Sequence, residues 1–236
     1  DSVSSDLIAR LERAGAITIH VASVGIAHWP GTFWRFHALT DSHAHRVLLR
    51  DADSLITQRE VSLVHEWLAS DKPFHVMRDW YTHVELMLAG LWGAHAPYLA
   101  HIGAWIEHFL VHEIEHSTHD DQIFLAKHIW PRIYKHTLVH DSVHSVLGAK
   151  DIAMPRESFE VSATLGGYGA VSYPVTLDPP RESQPYFIDI AVVATGERIC
   201  RYVRTASHGL DQFRLPNEYE KNIKAGVWRI DVGMVD

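Results

Sequence analysis

The hydrophobic period of this chain changes near residue 155, and that change limits its fold more than any single motif does. Before it, short apolar runs alternate with segments of helical period. Ala16-Ile17-Thr18-Ile19-His20-Val21, Arg46-Val47-Leu48-Leu49-Arg50 and Phe74-His75-Val76-Met77 read as strands. A helix over Asp6–Arg13 is capped by Ser4 or Ser5 and ended by Gly15. The Pro30-Gly31 turn leads into a short helix around Thr32 to Leu39. Thr57-Gln58-Arg59-Glu60 has capping-box spacing and opens a helix to about Ser70. Leu86 to Gly90 reads as an extended or buried turn, followed by a long helix from Pro97 to about His116. Another helix starts near Asp120 and is predicted to stop at Pro131, since proline has no amide hydrogen to continue it. Helices alternating with apolar strands predict a mostly parallel α/β sheet flanked by helices.

Beyond Pro155 the period is two. Phe159 to Leu165, Tyr186 to Val193, Arg198 to Val203 and Val227 to Val232 alternate apolar with polar residues. Gly166-Gly167, Pro179-Pro180, Thr195-Gly196 and Ala225-Gly226 punctuate them, and no helix is predicted there. The expected organisation is an α/β domain over residues 1–155 and an antiparallel, sandwich-like all-β domain over 156–236.

Composition removes some partners. A formal charge of −8 argues against a nucleic-acid surface, which needs a basic face. No apolar run approaches the roughly 18 residues of a membrane span. Cys200 is the one cysteine, so no internal disulfide exists, which fits a reducing, cytoplasmic compartment.

Asp51-Ala52-Asp53-Ser54 directly follows the Arg46–Arg50 strand. Ligands of α/β sheets bind outside the carboxyl ends of strands. Residues i and i+2 of an extended segment share a side, so both carboxylates can reach one divalent cation. Hard oxygen ligands suit Mg²⁺ or Mn²⁺. An acidic turn after a strand would look the same, since Asp and Ser are also turn formers.

The neighbours add to that tripeptide. Phe33-Trp34-Arg35-Phe36 precedes it; Arg59-Glu60 and Glu66-Trp67-Leu68 follow. Then come Phe74-His75-Val76-Met77-Arg78-Asp79, Ala89-Gly90-Leu91-Trp92-Gly93, Asp121-Gln122-x-Phe124-Leu125 and Val139-His140-Asp141-Ser142. In this order the motifs resemble the bacterial glycosyltransferase-like proteins of the GT-A fold, in the group related to retaining sugar-nucleotide transferases. The resemblance spans roughly residues 1–160. It implies a metal held by Asp51, Asp53 and His140, and Arg35 near the donor nucleotide with the two aspartates. It also implies Asp121 and Gln122 facing the sugar as catalytic residues, and Arg78, Asp79 and His83 binding donor sugar or acceptor. The implied chemistry is metal-dependent transfer from a nucleotide-sugar donor to a carbohydrate acceptor. In such folds the first strand and its loop hold the nucleoside base, and that strand would lie before Asp1. Trp80-Tyr81-Thr82 and Ala89 also depart from the group's pattern. A second reading is therefore a carbohydrate-binding, lectin-like protein without donor binding.

His112-Glu113-Ile114-Glu115-His116 satisfies the HExxH signature of zinc hydrolases, a third reading. On a helix from Pro97 to His116, however, His101, His108 and His112 fall opposite an apolar stripe of Leu99, Ile102, Ile106, Phe109 and Leu110. A solvated polar face explains them more simply. No Glu between Ser117 and Arg156 can supply a third zinc ligand.

Overall fold

The computed structural model describes residues 3, 5–145, 148–153, 164–167, 170–176, 184–205 and 210–235. The chain divides into two compact units, one of Asp1–Arg50 with Glu60–Met154 and one of Asp51–Arg59 with Pro155–Asp236. Among the described residues no helix is long and apolar enough to cross a membrane.

The first unit begins with α1 (Ser5–Arg13) and a 3₁₀ segment, Gly31–Thr40. It continues through β1 (Arg46–Arg50), α2 (Gln58–Ala69), β2 (Phe74–Arg78), β3 (Leu91–His95) and α3 (Ile102–His112). α4 (Asp120–Phe124), α5 (Trp130–Ile133) and β4 (Thr137–Asp141) complete it. Its four strands pair in the order β1-β3-β2-β4. β3 runs antiparallel to both β1 and β2, and only β2 and β4 pair in parallel. This corrects the expectation of a mostly parallel, GT-A-like sheet. A parallel crossover is usually made by a helix, and Asp79–Gly90 contains none, so the chain returns from β2 as an antiparallel neighbour.

Aromatic side chains bind the helices together. Phe33 and Phe36 from the 3₁₀ segment meet Phe109 of α3 and Phe124 of α4, with ring centroids 5.6 to 6.0 Å apart. Phe36 also packs on Trp92 of β3. All five rings are fully buried, and each contributes roughly 2–3 kcal/mol through burial. Gly93 is required for close approach. A Cβ there would lie 2.9 Å from Leu48 Cδ2 and 3.1 Å from the Trp67 ring.

Several local expectations are revised. Ala16–Val21 forms no strand, and Ile17 is 89% exposed. β-branched composition favours extended backbone, but a strand needs a neighbour to take its hydrogen bonds. The helix predicted from Pro97 is split into a 3₁₀ turn, Ala96–Leu99, and α3. Helical structure also passes Pro131. A π-helical turn, Leu125–Ile129, precedes α5, whose first turn contains the proline. Proline is tolerated in a first turn because its missing donor would be unpaired there.

The second unit contains β5 (Ala170–Thr176), β6 (Pro185–Val192), β7 (Arg198–Thr205), β8 (Leu210–Pro216), α6 (Asn217–Lys224) and β9 (Trp228–Met234). β5 pairs with β8, and β6 is central in a three-stranded antiparallel sheet, β7-β6-β9. Tyr186, Ile188 and Ile190 of β6 bury against Leu215, with Tyr219 and Ile223 of α6 packed on them. The expected all-β sandwich is therefore corrected to small sheets with a helix. Asn217–Lys224 escapes a period-two reading because its apolar residues, Tyr219 and Ile223, are spaced four apart. Of the strand predicted over Phe159 to Leu165, residues 159–163 lie outside the described residues, and Thr164 to Gly167 form a turn.

Candidate functional site

Because β3 opposes both β1 and β2, and β4 parallels β2, the strands β1, β2 and β4 point the same way. Their carboxyl ends form one edge of the first unit's sheet, at Arg50, Arg78 and Asp141. Arg78 and Asp141 are register partners. Their buried ion pair joins Nε to Oδ2 at 2.9 Å. The other carboxylate oxygen accepts the Val143 and His144 amides at 2.9 and 2.8 Å, so Asp141 also folds the turn after β4. Burial works to raise the Asp141 carboxyl, but the His144 and Val143 amides and the Arg78 guanidinium outweigh it and hold it below the usual range.

Arg78, Asp79 and His83 lie close together in the structure. Ser142 Oγ donates to Asp79 Oδ1 at 2.5 Å, and the Ser142 amide donates to the Arg78 carbonyl. The Asp79 amide donates to His83 Nδ1 at 3.0 Å, which sets the ring's hydrogen on Nε2. Arg78 Nη1 reaches the Glu85 carbonyl at 3.3 Å. The Nη2 atoms of Arg78 and of Arg50 are buried without a hydrogen-bond partner among the described residues. Arg50 is otherwise held by Glu60 and by the Leu49 and Trp92 carbonyls. Two guanidinium donors at the carboxyl edge thus remain unmatched.

His140 lies one residue before Asp141, fully buried. Its Nδ1 is 2.8 Å from His75 Nε2, and its Nε2 is 3.1 Å from Glu66 Oε2. Lys150 Nζ donates to the other Glu66 oxygen at 2.6 Å, brought there by a backbone bridge between Lys150 and β4. The chain of bonds fixes the tautomers: with Glu66 ionised, His140 donates from Nε2 and His75 donates from Nε2 to His140 Nδ1. His75 also stacks on Trp67, with centroids 5.4 Å apart. Burial, then His140 and Arg50, push the His75 pKa down to about 3. Burial likewise lowers His140, against the pull of Glu66. The bond from Lys150 chiefly holds Glu66 below its ordinary value, with His140 adding to it against burial.

This arrangement bears on the implied metal. Both ring nitrogens of His140 are engaged, so it would have to surrender a buried bond to become a ligand. Asp51 and Asp53 follow β1 directly but belong to the second unit. Among the described residues no group of three or more His, Cys, Asp or Glu could hold a metal ion.

Arg35 is half-buried on the 3₁₀ segment whose other residues Phe33, Phe36 and Leu39 enter the core. Asp121 and Gln122 open α4, and Asp121 Oδ1 accepts the Gln122 amide at 2.9 Å. The preceding Asp120 organises the approach to the helix by accepting the Glu115 and Ser117 amides. The HExxH residues do not form a zinc-hydrolase helix. α3 ends at His112, Glu113 is its cap, and His116 has a φ of 56°. The histidine that actually approaches His112 is His108, one turn earlier, at 4.7 Å between centroids.

Glu66, His75 and Asp141 were missed as functional residues, although each sits inside a quoted motif. For His75 and Asp141 the available signal was a polar side chain in a predominantly apolar strand, whereas Glu66 lies on the exposed side of α2 and carries no such signal.

Compared with family models, curated proteins and solved structures, the chain matches none.

Proposed function

We propose that this chain is a glycosyltransferase that takes a sugar from a nucleotide donor, with its site at the carboxyl edge of β1, β2 and β4. The observation that carries the reading is the pair of unmatched, buried guanidinium donors of Arg50 and Arg78 at that edge. Two strand spacings separate β1 from β2, about 10 Å, and the register puts Arg50 on the Leu48 and His75 face of the sheet and Arg78 on the Leu49 and Val76 face, so a diphosphate meeting both would straddle the edge. Planar guanidinium groups suit phosphate oxygens better than any other side chain does. Beside them, Ser142 and His83 offer hydroxyl and imidazole groups to sugar hydroxyls, with Asp79 holding both.

In the reaction an acceptor oxygen bonds to the anomeric carbon as the carbon–oxygen bond to the diphosphate breaks. The nucleoside diphosphate leaves with the electron pair, and its departing oxygen takes the proton of the acceptor hydroxyl. Arginine donors that reach the diphosphate from the edge would stabilise the charge that develops on it. A divalent cation, Mn²⁺ or Mg²⁺, is proposed to accompany the diphosphate. The donor nucleotide and a carbohydrate acceptor are the proposed partners. The half-buried thiol of Cys200 suits a reducing compartment such as the cytoplasm.

A binding-only, lectin-like reading has its own support, since His140, Asp79 and Asp141 are each already engaged with protein groups. Calorimetry with UDP, GDP and CDP, with and without Mn²⁺, combined with release of UDP or GDP from UDP-glucose, UDP-galactose and GDP-mannose, separates the two. Nucleotide binding with turnover supports the transferase. Sugar binding without nucleotide binding supports the lectin. A preference of roughly a hundredfold for one nucleotide, about 2.7 kcal/mol, marks base recognition.

A further inference from the structure

The opposite edge of the same sheet carries a second concave feature. A cavity of about 510 Å³ opens where β2 and β4 begin, within the size range of small-molecule sites. Its floor is apolar: Phe74, Leu99 and Ile133 are each almost fully buried. Tyr98, 66% exposed, stands edge-on to Phe74 at 5.9 Å and forms one wall. On the other, the Arg132 guanidinium lies over the Trp105 ring at 4.8 Å. Asp71 and His136 complete the rim.

The chemistry of the lining selects a ligand. An anion would meet the Asp71 carboxylate, and a cation would meet Arg132. A wholly apolar molecule would cover both charges without giving them partners, which is costly. A neutral sugar avoids all three penalties. The C–H face of a pyranose is apolar and lies flat on an aromatic ring. Its hydroxyls each donate and accept, matching an acceptor at Asp71, a fixed planar donor at Arg132 and an imidazole at His136. Stacking on Trp105 orders the guanidinium in advance, so less freedom is lost on binding.

We propose that this cleft is a binding site for a neutral pyranose of a glycan, separate from the carboxyl edge. At about 3.3 Å per residue, the five residues of β2 put the two edges roughly 16 Å apart. The cleft therefore holds sugar at a distance from Asp79 and Ser142, and its existence does not depend on transfer chemistry there.

Saturation-transfer NMR with cellobiose, maltose, lactose and chitobiose tests it on the whole chain. At least one disaccharide is expected to bind, and Tyr98→Ala is expected to weaken that binding by about tenfold or more, since loss of one stacked aromatic amounts to about 1–3 kcal/mol in other ring-binding sites. Tyr98→Phe, which keeps the ring, should stay within about twofold, and Arg201→Ala, at an exposed position of β7, should leave the affinity unchanged. Near-UV circular dichroism checks that the variants are folded, and Arg132→Gln gives a second route should Tyr98→Ala not fold. Absence of binding by all four sugars overturns the proposal. So does binding that survives both Tyr98→Ala and Arg132→Gln, or that is lost in Arg201→Ala. Nucleotide titrations report on the carboxyl edge alone, so failure there is distinguishable from failure here.

Discussion

Two arginine–aspartate pairs in this molecule are built on the same plan and differ in their surroundings. Arg78 and Asp141 face each other across the parallel β2–β4 pair, with side chains 2% and 0% exposed. Arg201 and Asp189 face each other across the antiparallel β6–β7 pair, with side chains 39% and 13% exposed. The second pair has the better hydrogen-bond geometry: it is two-pronged, at 2.7 and 2.6 Å, and Arg201 also lies over the Phe187 ring at 3.9 Å. The first has one direct bond, at 2.9 Å. Yet the buried pair is the consequential one. Water can replace either partner at the exposed site, whereas in the core the loss of one leaves an uncompensated charge. Geometry ranks the two pairs one way and desolvation ranks them the other, and desolvation decides.

The largest expected effect follows directly. Asp141→Ala should destabilise the first unit by about 3–5 kcal/mol in urea denaturation, because Arg78 then stays buried and unpaired. A loss below about 1 kcal/mol would show that water reaches Arg78, and the contrast between the pairs would fail.

Acid should act on the same region. His75 has a folded pKa of about 3 against an ordinary 6.5, so the unfolded chain binds more protons between those values. The stability it contributes is complete above 6.5 and falls as pH drops towards 3, at up to about 1.4 kcal/mol per pH unit. Depressed His140 adds to that loss. The depressed carboxylates of Glu66 and Asp141 contribute above the unfolded carboxylate range and lose that contribution as pH falls through their folded values. Unfolding midpoints from pH 8 to 4 should therefore decline steeply, and His75→Phe should flatten the upper part of the decline. A flat wild-type profile would mean that His75 is protonated in the folded state.

Gly233 sharpens the comparison from the other side. It is the register partner of Phe187, and a Cβ there would sit 2.5 Å from the ring. Gly233→Ala should destabilise the second unit by about 1–3 kcal/mol, leaving hydrogen-exchange protection of β2 and β4 unchanged. The smallest effect is expected for Arg201→Ala, a slight loss that disappears in high salt. A salt-independent loss would show that stacking on Phe187, rather than charge, gives Arg201 its role.

The sequence reading located β1, β2, β6, β7 and β9 because each is a dense apolar or alternating run, and that signal is local. It missed β3, Leu91–His95, and with it the antiparallel character of the sheet, since strand direction depends on what connects two strands, and Asp79–Gly90 looks like neither a helix nor a hairpin turn. It found Arg78, Asp79 and His83 as neighbours in sequence, and they are neighbours in space. The partners that define their chemistry are 63 residues away in Asp141 and Ser142, and no periodicity reports a contact at that separation. His140 was read as a ligand because the resemblance implied it as the partner of Asp51 and Asp53. Its engagement with His75 and Glu66 becomes visible only once β2, β4 and α2 are packed.

The central claim is that nucleotide diphosphates bind at the carboxyl edge. Titration of ¹⁵N-labelled protein with UDP, GDP and CDP in Mg²⁺, followed by two-dimensional NMR, tests it most directly. The account predicts saturable shifts of the Arg78, Asp79, Ser142 and Val143 amides and of the Arg50 and Arg78 guanidinium resonances for at least one nucleotide. Saturable binding that leaves all of these unmoved, or no binding of any of the three at about 10 mM, a limit weaker than roughly −3 kcal/mol, would contradict it.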